Sequence, residues 1–315
     1  MVFLLKKKNK YKKTQDNHNL EKLKLIFSKV KYVAKNVIYI KNWSDGYKKK
    51  FHVIKKNDET FNNYSNFSEQ LSFTYKNFSL KLVNHPHSLL EKAKKLRYKS
   101  FFGDPLNEKL DSDEFDKECD HLLVIDKNIA SDFVVGTYRL LNRQTNNLKK
   151  KFYSETEFDI SNLLKIKNIS ILEAGRSCVH ENYRDGRIIK LLWKGLAYYI
   201  LKKKIDLIFG CASFPSSNYT DFERQLSYLN SYHKPPKKYS TFPLQNVEAK
   251  YNFLSSDDLS QKDEFRLLPP LIKAYIRVGA WIGKGAVVDK KFNTTDVLVI
   301  LKAKNIIRKY SNLSF

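Results

Sequence analysis

A mixed α+β sheet with helices on its faces is the fold class that this 315-residue chain predicts. Three observations predict it. Strand-like alternation and helical periodicity interleave in the order β-α, β-hairpin, β-α-β, α-β, which is too irregular for a doubly wound sheet. A composition of 42% hydrophobic and 14% aromatic residues can bury a substantial core and excludes wholesale disorder. No segment of solenoid length recurs, which excludes a repeat architecture.

Residues 1–19, with the run KKKNKYKK, read as a basic arm. Over 20–40, Leu20, Leu23, Ile26, Phe27, Val30, Val33, Val37 and Ile40 recur at helical spacing with lysines between them. That pattern predicts a basic amphipathic helix, fit to lie in a membrane interface or to pack on the main domain. Residues 41–75, rich in Asn, Ser and Lys, read as a linker. The expected division is therefore an arm, helix and linker over 1–75 and a folded domain over 76–315. FSLKLV (78–83) alternates as a strand, and Pro86 to Phe102 carries helical spacing. An acidic turn (111–120) leads into strand 121–126, and 133–141 is its hairpin partner. Residues 142–168 read as an irregular insertion. Strand 169–179, helix 188–203, strand 205–213 and helix 221–232 follow. The Pro235-Pro236 pair opens an irregular stretch to 268, then come helix 271–278 and a last strand over 295–301.

The net charge of +25 is carried mostly by lysine. Residues 1–60 hold nearly half of it, with 17 lysines against five acidic residues. Such a field accelerates encounter with an acidic carrier protein or an anionic membrane surface. No nucleic-acid motif accompanies it, so no specific nucleic-acid partner is expected. No apolar run is long enough to cross a bilayer, and MVFLL precedes its lysines, the reverse of a secretory signal. Cys119, Cys178 and Cys211 lack metal-type spacing and read as reduced thiols. The expected location is cytoplasmic, with peripheral attachment to the inner face of a membrane through the arm. Cys211, in FGCASFPS, is also a candidate nucleophile.

The stretch Ile171 to Trp193 carries the chemistry. An apolar strand holds Glu173 and Arg176, then a polar turn passes through Arg184, Asp185, Gly186 and Arg187 into a helix. The chain has few arginines, yet three of them stand here within twelve residues. Arginine offers a planar fork that matches phosphate and carboxylate, and a helix start offers backbone N–H groups. Glu173 and Arg176, three apart on a strand, are expected on opposite faces and so not as an ion pair. His121 and His180 lie beside apolar strands and read as packed side chains. The Asp111–His121 cluster lacks ligand spacing, so no metal is expected.

The motifs DEFD, CDHLLVID, VVGTYRLL, LEAGRSCVHENYR, LLWKGL, FGCASFP, LPPLIKAYIRVGA and GAVVDKKFNTTDV follow one another over residues 78–303. In that order they resemble the ornithine–acyl carrier protein N-acyltransferases, hemolysin-like members of the GNAT acyltransferase superfamily. DEFD, LLVID, GTYRLL and the Glu-x-x-Arg strand are also distantly similar to the acyl-homoserine-lactone synthases. The first resemblance implies a GNAT-like, mostly antiparallel sheet and no permanently bound cofactor. It implies transfer of a (3-hydroxy)acyl chain from the phosphopantetheine thioester of acyl carrier protein to the α-amino group of ornithine. Lyso-ornithine lipid is the implied product. The usual GNAT coenzyme-A pattern has small residues where this chain has Arg187, Ile188 and Ile189, which suits a donor bearing a single phosphate.

Aminolysis of a thioester needs a base, and Glu173 is the expected one. Main-chain N–H groups near Ser177 to Val179 are expected to meet the oxyanion. Arg184, Arg187, the Gly186 amide and Val179 would hold the donor's phosphopantetheine. Asp113 and Asp116, with Glu173, would receive a cationic amino acid; Arg139 would pair with one of these acids or with the substrate carboxylate, and Arg176 is the further catalytic residue. Phe209, Phe214 and Trp193 are candidate walls for the acyl chain. An autoinducer synthase, which would take S-adenosylmethionine as acceptor, is the alternative. A non-catalytic basic module that binds membrane or nucleic acid is the lesser one.

Overall fold

Polar and apolar residues alternate through the first hairpin, β1 (Ser72–Tyr75) and β2 (Phe78–Asn84), and the turn at Lys76 and Asn77 closes it. The computed structural model describes residues 37–38, 54–55, 72–103, 109–146 and 151–310. Spatial clustering divides the chain into residues 1–69 and 70–315. In the first unit, Val37–Ile38 pairs antiparallel with Ile54–Lys55. These two residues, expected to end the helix over 20–40, are a strand; the rest of that helix and the basic arm lie outside the described residues. The second unit begins its sheet at Ser72, inside the stretch expected to be linker.

Helix α1 (Ser88–Phe102) is capped by the His87 ring, which accepts from the Leu89 amide, and ends at Gly103 in the left-handed region. Its apolar face (Leu89, Leu90, Ala93, Leu96) packs on Leu123, Ile125 and Val134. Strands β3 (Asp120–Asp126) and β4 (Val134–Gln144) form the expected hairpin. Over residues 151–168 the insertion holds a 3-10 turn at Tyr153–Thr156, strand β5 (Phe158–Asp159) and the short helix α2 (Ser161–Leu164). Phe152, Phe158, Ile160 and Leu163 fasten it to a core with Ile171 and Phe209.

Strand β6 (Ser170–Val179) runs into α3 (Arg187–Lys203), which returns the chain to β7 (Leu207–Phe214). That crossover makes β6 and β7 the sheet's parallel pair. Helix α4 (Glu223–Tyr232) follows, then β8 (Phe242–Pro243), which pairs with β5. Helices α5 (Gln261–Leu267) and α6 (Pro270–Arg277) precede β9 (Trp281–Ile282), β10 (Val287–Asp289), β11 (Thr294–Lys302) and α7 (Ala303–Tyr310). The sheet order is β9-β11-β7-β6-β4-β3-β2-β1, with β10 also on β11, and every neighbour except β6–β7 is antiparallel. The mixed, mostly antiparallel α+β sheet expected from the sequence is therefore the one observed. Helix α5 and strands β1, β9 and β10 come in addition, as does α7.

Candidate active site

Two features of β6 create a cleft. Its pairing with β7 stops after Ile171–Leu207, Leu172–Ile208 and Glu173–Phe209, although both strands continue. At the parting point Gly210 lies so close to β6 that a Cβ there would stand 2.3 Å from the Ala174 carbonyl oxygen. On its other edge β6 pairs with β4, and the register moves from Arg139–Gly175 to Thr137–Cys178. The extra residue is a bulge, and Arg176 adopts φ +51° within it. Beyond Glu173, therefore, one edge of β6 faces a cavity of about 560 Å³, lined among others by Tyr153, Ser154, Arg176, Cys211 and Asp296.

Glu173 is buried in the wall of this cleft. The 3-10 turn after β4 points its first amides at the carboxylate: Tyr153 N–H donates to Oε2 at 3.0 Å and Ser154 N–H to Oε1 at 2.6 Å. Among the described residues no cationic side chain forms an ion pair with it, as its spacing from Arg176 implied. Burial pushes the Glu173 carboxyl above its ordinary value, and the bonds from Ser154 and Tyr153 restrain that rise. A carboxylate shaped this way can accept a proton from a bound amine.

Arg176 is sandwiched between the rings of Tyr153 and Phe292, at 4.5 and 4.6 Å. Its Nε and Nη2 donate to Asp111 and Asp113 at 3.2 and 3.1 Å. Arg139 donates to Asp113 and, at 3.4 Å, to Asp116. The fully buried Arg97 closes the network with bonds to Asp111 and Asp116. This corrects the expectation for Asp113 and Asp116. Neither lines the cleft, and both are engaged by arginines rather than open to a cationic substrate. Burial opposes ionisation of Asp116, but the hydrogen bonds and charge of Arg97 outweigh it and hold the carboxyl well below its usual range. Asp113 also caps the 3-10 turn at Glu114–Lys117.

The basic turn follows the end of β6, two residues beyond the last cleft-lining residue of that strand, Ser177. Gly186 sits at φ +92°, a left-handed position that favours glycine, and N-caps α3. Arg184 donates through Nε to the Val179 carbonyl at 3.1 Å and has no ion-pair partner among the described residues. Arg187 is less available than expected. Asp185 caps its amide at 2.9 Å and holds its guanidinium at 2.7 Å.

Other expectations change as well. Phe209, Phe214 and Trp193 are core residues and do not line the cleft; its apolar wall is Phe101, Phe102, Leu271, Tyr275 and Phe292. The Cys211 thiol does line it, but burial and the neighbouring charges of Glu157 and Asp296 push it well above its ordinary value. That disfavours the thiolate a nucleophile needs. His121 is buried against the Asp116 carbonyl at 3.0 Å, and desolvation lowers it to about 4. His180 caps the turn after β6.

The residues missed in the sequence are acidic. Carboxylate oxygens of Glu157, Asp289 and Asp296 lie within 4.8 Å of one another, and this group could hold a cation. Asp289 and Asp296 line the cleft, while Glu157 follows the turn that holds Glu173. Burial and the charge of Asp296 raise the Glu157 carboxyl to about 7. Burial, with Asp289 nearby, raises Asp296 to about 6.

Comparison with known proteins places this geometry in context. Residues 96–194 match the family described as Acetyltransferase (GNAT) domain. The chain is 37% identical over 233 residues to an L-ornithine N(alpha)-acyltransferase of Agrobacterium fabrum, covering 70% of this chain and 80% of that protein. A protein of the same name from Rhizobium meliloti is 39% identical over 208 residues, covering 65% and 70%. Among solved structures, the AHL synthase LasI aligns over 76% of this chain and 97% of its own, with 13% identity and a TM-score of 0.40.

Proposed function

The chain belongs to the L-ornithine N(alpha)-acyltransferase family, and on that premise we propose that it moves a (3-hydroxy)acyl chain from acyl carrier protein to the α-amine of ornithine. The observation that carries this reading is Glu173, a buried carboxylate held by two amides in a cleft where two strands part. Glu173 takes a proton from the acceptor ammonium, and the freed amine attacks the thioester carbonyl. The adduct collapses as the C–S bond breaks. Of the two protons the nitrogen sheds, one neutralises the leaving thiolate and the other passes to solvent. The products are an amide, lyso-ornithine lipid, and the carrier's free thiol.

The open edge of β6 beyond Glu173 gives the donor arm main-chain partners and gives the developing oxyanion N–H donors. Val179 lies six steps along the strand from Glu173, roughly 20 Å at about 3.3 Å each. In this reading the thioester lies at one end and the phosphate at the other, where Arg184, the Gly186 amide and, once Asp185 yields, Arg187 receive it. Arg176 Nη1 makes no hydrogen bond to protein among the described residues and is left for the acceptor's α-carboxylate. The lysine-rich surface draws in the acidic carrier, and the basic arm meets an anionic membrane where a lipid product belongs.

Purified protein, 3-hydroxyacyl carrier protein and ornithine should release free thiol in step with amide formation. Absence of thiol release would reject the reading.

A further inference from the structure

Two of the three missed acids carry an oxygen with no partner. Glu157 Oε2 and Asp296 Oδ1 have no hydrogen bond, although their residues are only 7% and 5% exposed. No lysine, arginine or histidine forms an ion pair with Glu157, Asp289 or Asp296 among the described residues. Buried carboxylates without a cation are costly, so the place is built for a positive charge that arrives from outside. We infer that Glu157, Asp289 and Asp296 receive the distal ammonium of a diamino-acid acceptor while its α-amine lies at Glu173. This rests on the acyltransferase reading above and adds the group that selects the acceptor.

Geometry supports an ammonium. A tetrahedral –NH₃⁺ with three N–H···O contacts of about 2.8 Å spaces its acceptors roughly 4.6 Å apart. The three carboxylates are compatible with that spacing, since one oxygen of each lies within 4.8 Å of the others. Reach supports it too. The turn whose first amides hold Glu173 delivers Glu157 three residues after Ser154, roughly 6 Å further along a 3-10 turn. Standard bond lengths put the α- and δ-nitrogens of extended ornithine about 6 Å apart. Between the two ends lies Cys211, its Sγ 3.6 Å from Ser154 Oγ, a neutral side chain that leaves the charge to the acids.

The test compares ornithine with norleucine, which is the same length but carries a methyl group in place of the δ-ammonium. With full-length wild-type protein, kcat/KM should favour ornithine by at least 100-fold. Asp296→Asn should cut that preference by at least tenfold, chiefly through a higher KM for ornithine, with melting temperature showing the fold intact. Glu157→Gln and Asp289→Asn repeat the measurement should Asp296→Asn not fold. Calorimetric binding of both amino acids reads the same preference without turnover. An unchanged preference in all three variants overturns the inference, as does an equal loss for both acceptors. Loss of ornithine binding after chelation, restored by magnesium or calcium, overturns it in favour of a metal site. A wild type that binds ornithine selectively but transfers no acyl chain sinks the acyltransferase reading instead.

Discussion

Glu173 and Glu157 stand at two ends of one short turn, and their environments differ. Amides meet Glu173, while other carboxyls surround Glu157. Glu173→Gln keeps the shape and removes the proton acceptor. Turnover should fall about 10²–10⁴-fold while KM for ornithine changes little, read by thiol release. Glu157 is faced by Asp296, Asp289, Cys211 and Tyr153, and Asp296 in turn by Arg176. Its carboxyl is raised from an ordinary 4.5 to about 7, so between these values the folded protein binds a proton that the unfolded chain has released. Linkage then lowers stability as pH rises through that window. The melting temperature of Glu157→Gln minus that of wild type should be positive at pH 8 and shrink toward zero near pH 5. Stronger ornithine binding is expected over the same rise in pH, as the acids ionise.

The strand termini around the cleft act as units. Gly210→Ala would press a methyl group on the Ala174 carbonyl. The strain should cost about 1–3 kcal/mol in denaturant unfolding and widen the parting of β6 and β7. Arg184→Ala should raise KM for the acyl carrier donor several-fold and leave turnover at saturating donor unchanged. Elements of this size were the readable part of the sequence. Alternation marked β2, short apolar runs marked β3, β4, β6, β7 and β11, and apolar spacing marked α1 and α3, because each buries one face or both. The 3-10 turn at Tyr153–Thr156 has no period, so the residues that hold Glu173 looked like an insertion. Glu157, Asp289 and Asp296 are gathered only by the sheet, since β10 and β11 bring Asp289 and Asp296 to a turn far earlier in the sequence. Asp113 and Asp116 misled for the converse reason. Their motif was visible, but the arginines that engage them, Arg97 of α1 at Asp116 and Arg139 and Arg176 at Asp113, are brought there only by the fold.

Over the whole molecule, charge and sheet architecture set the remaining expectations. A net charge of +25 should make capture of full-length protein on anionic vesicles strongly salt-sensitive. Sedimentation with such vesicles should fall steeply between about 0.05 and 0.5 M salt, at which the screening length shortens to several ångströms. Vesicles of neutral lipid should capture little at either salt. The sheet has a different imbalance. β4 with β6, and β7 with β11, each align eight residue pairs, whereas β6 and β7 align only three. Parallel rungs are also slightly weaker individually than antiparallel ones. The sheet of the second unit thus has two well-paired halves joined by a short seam, which α3 connects. In the proposed reaction, acyl tails of greater bulk are expected to enter by parting that seam further rather than by repacking either half, which leaves the carboxylates beside it to select the amine.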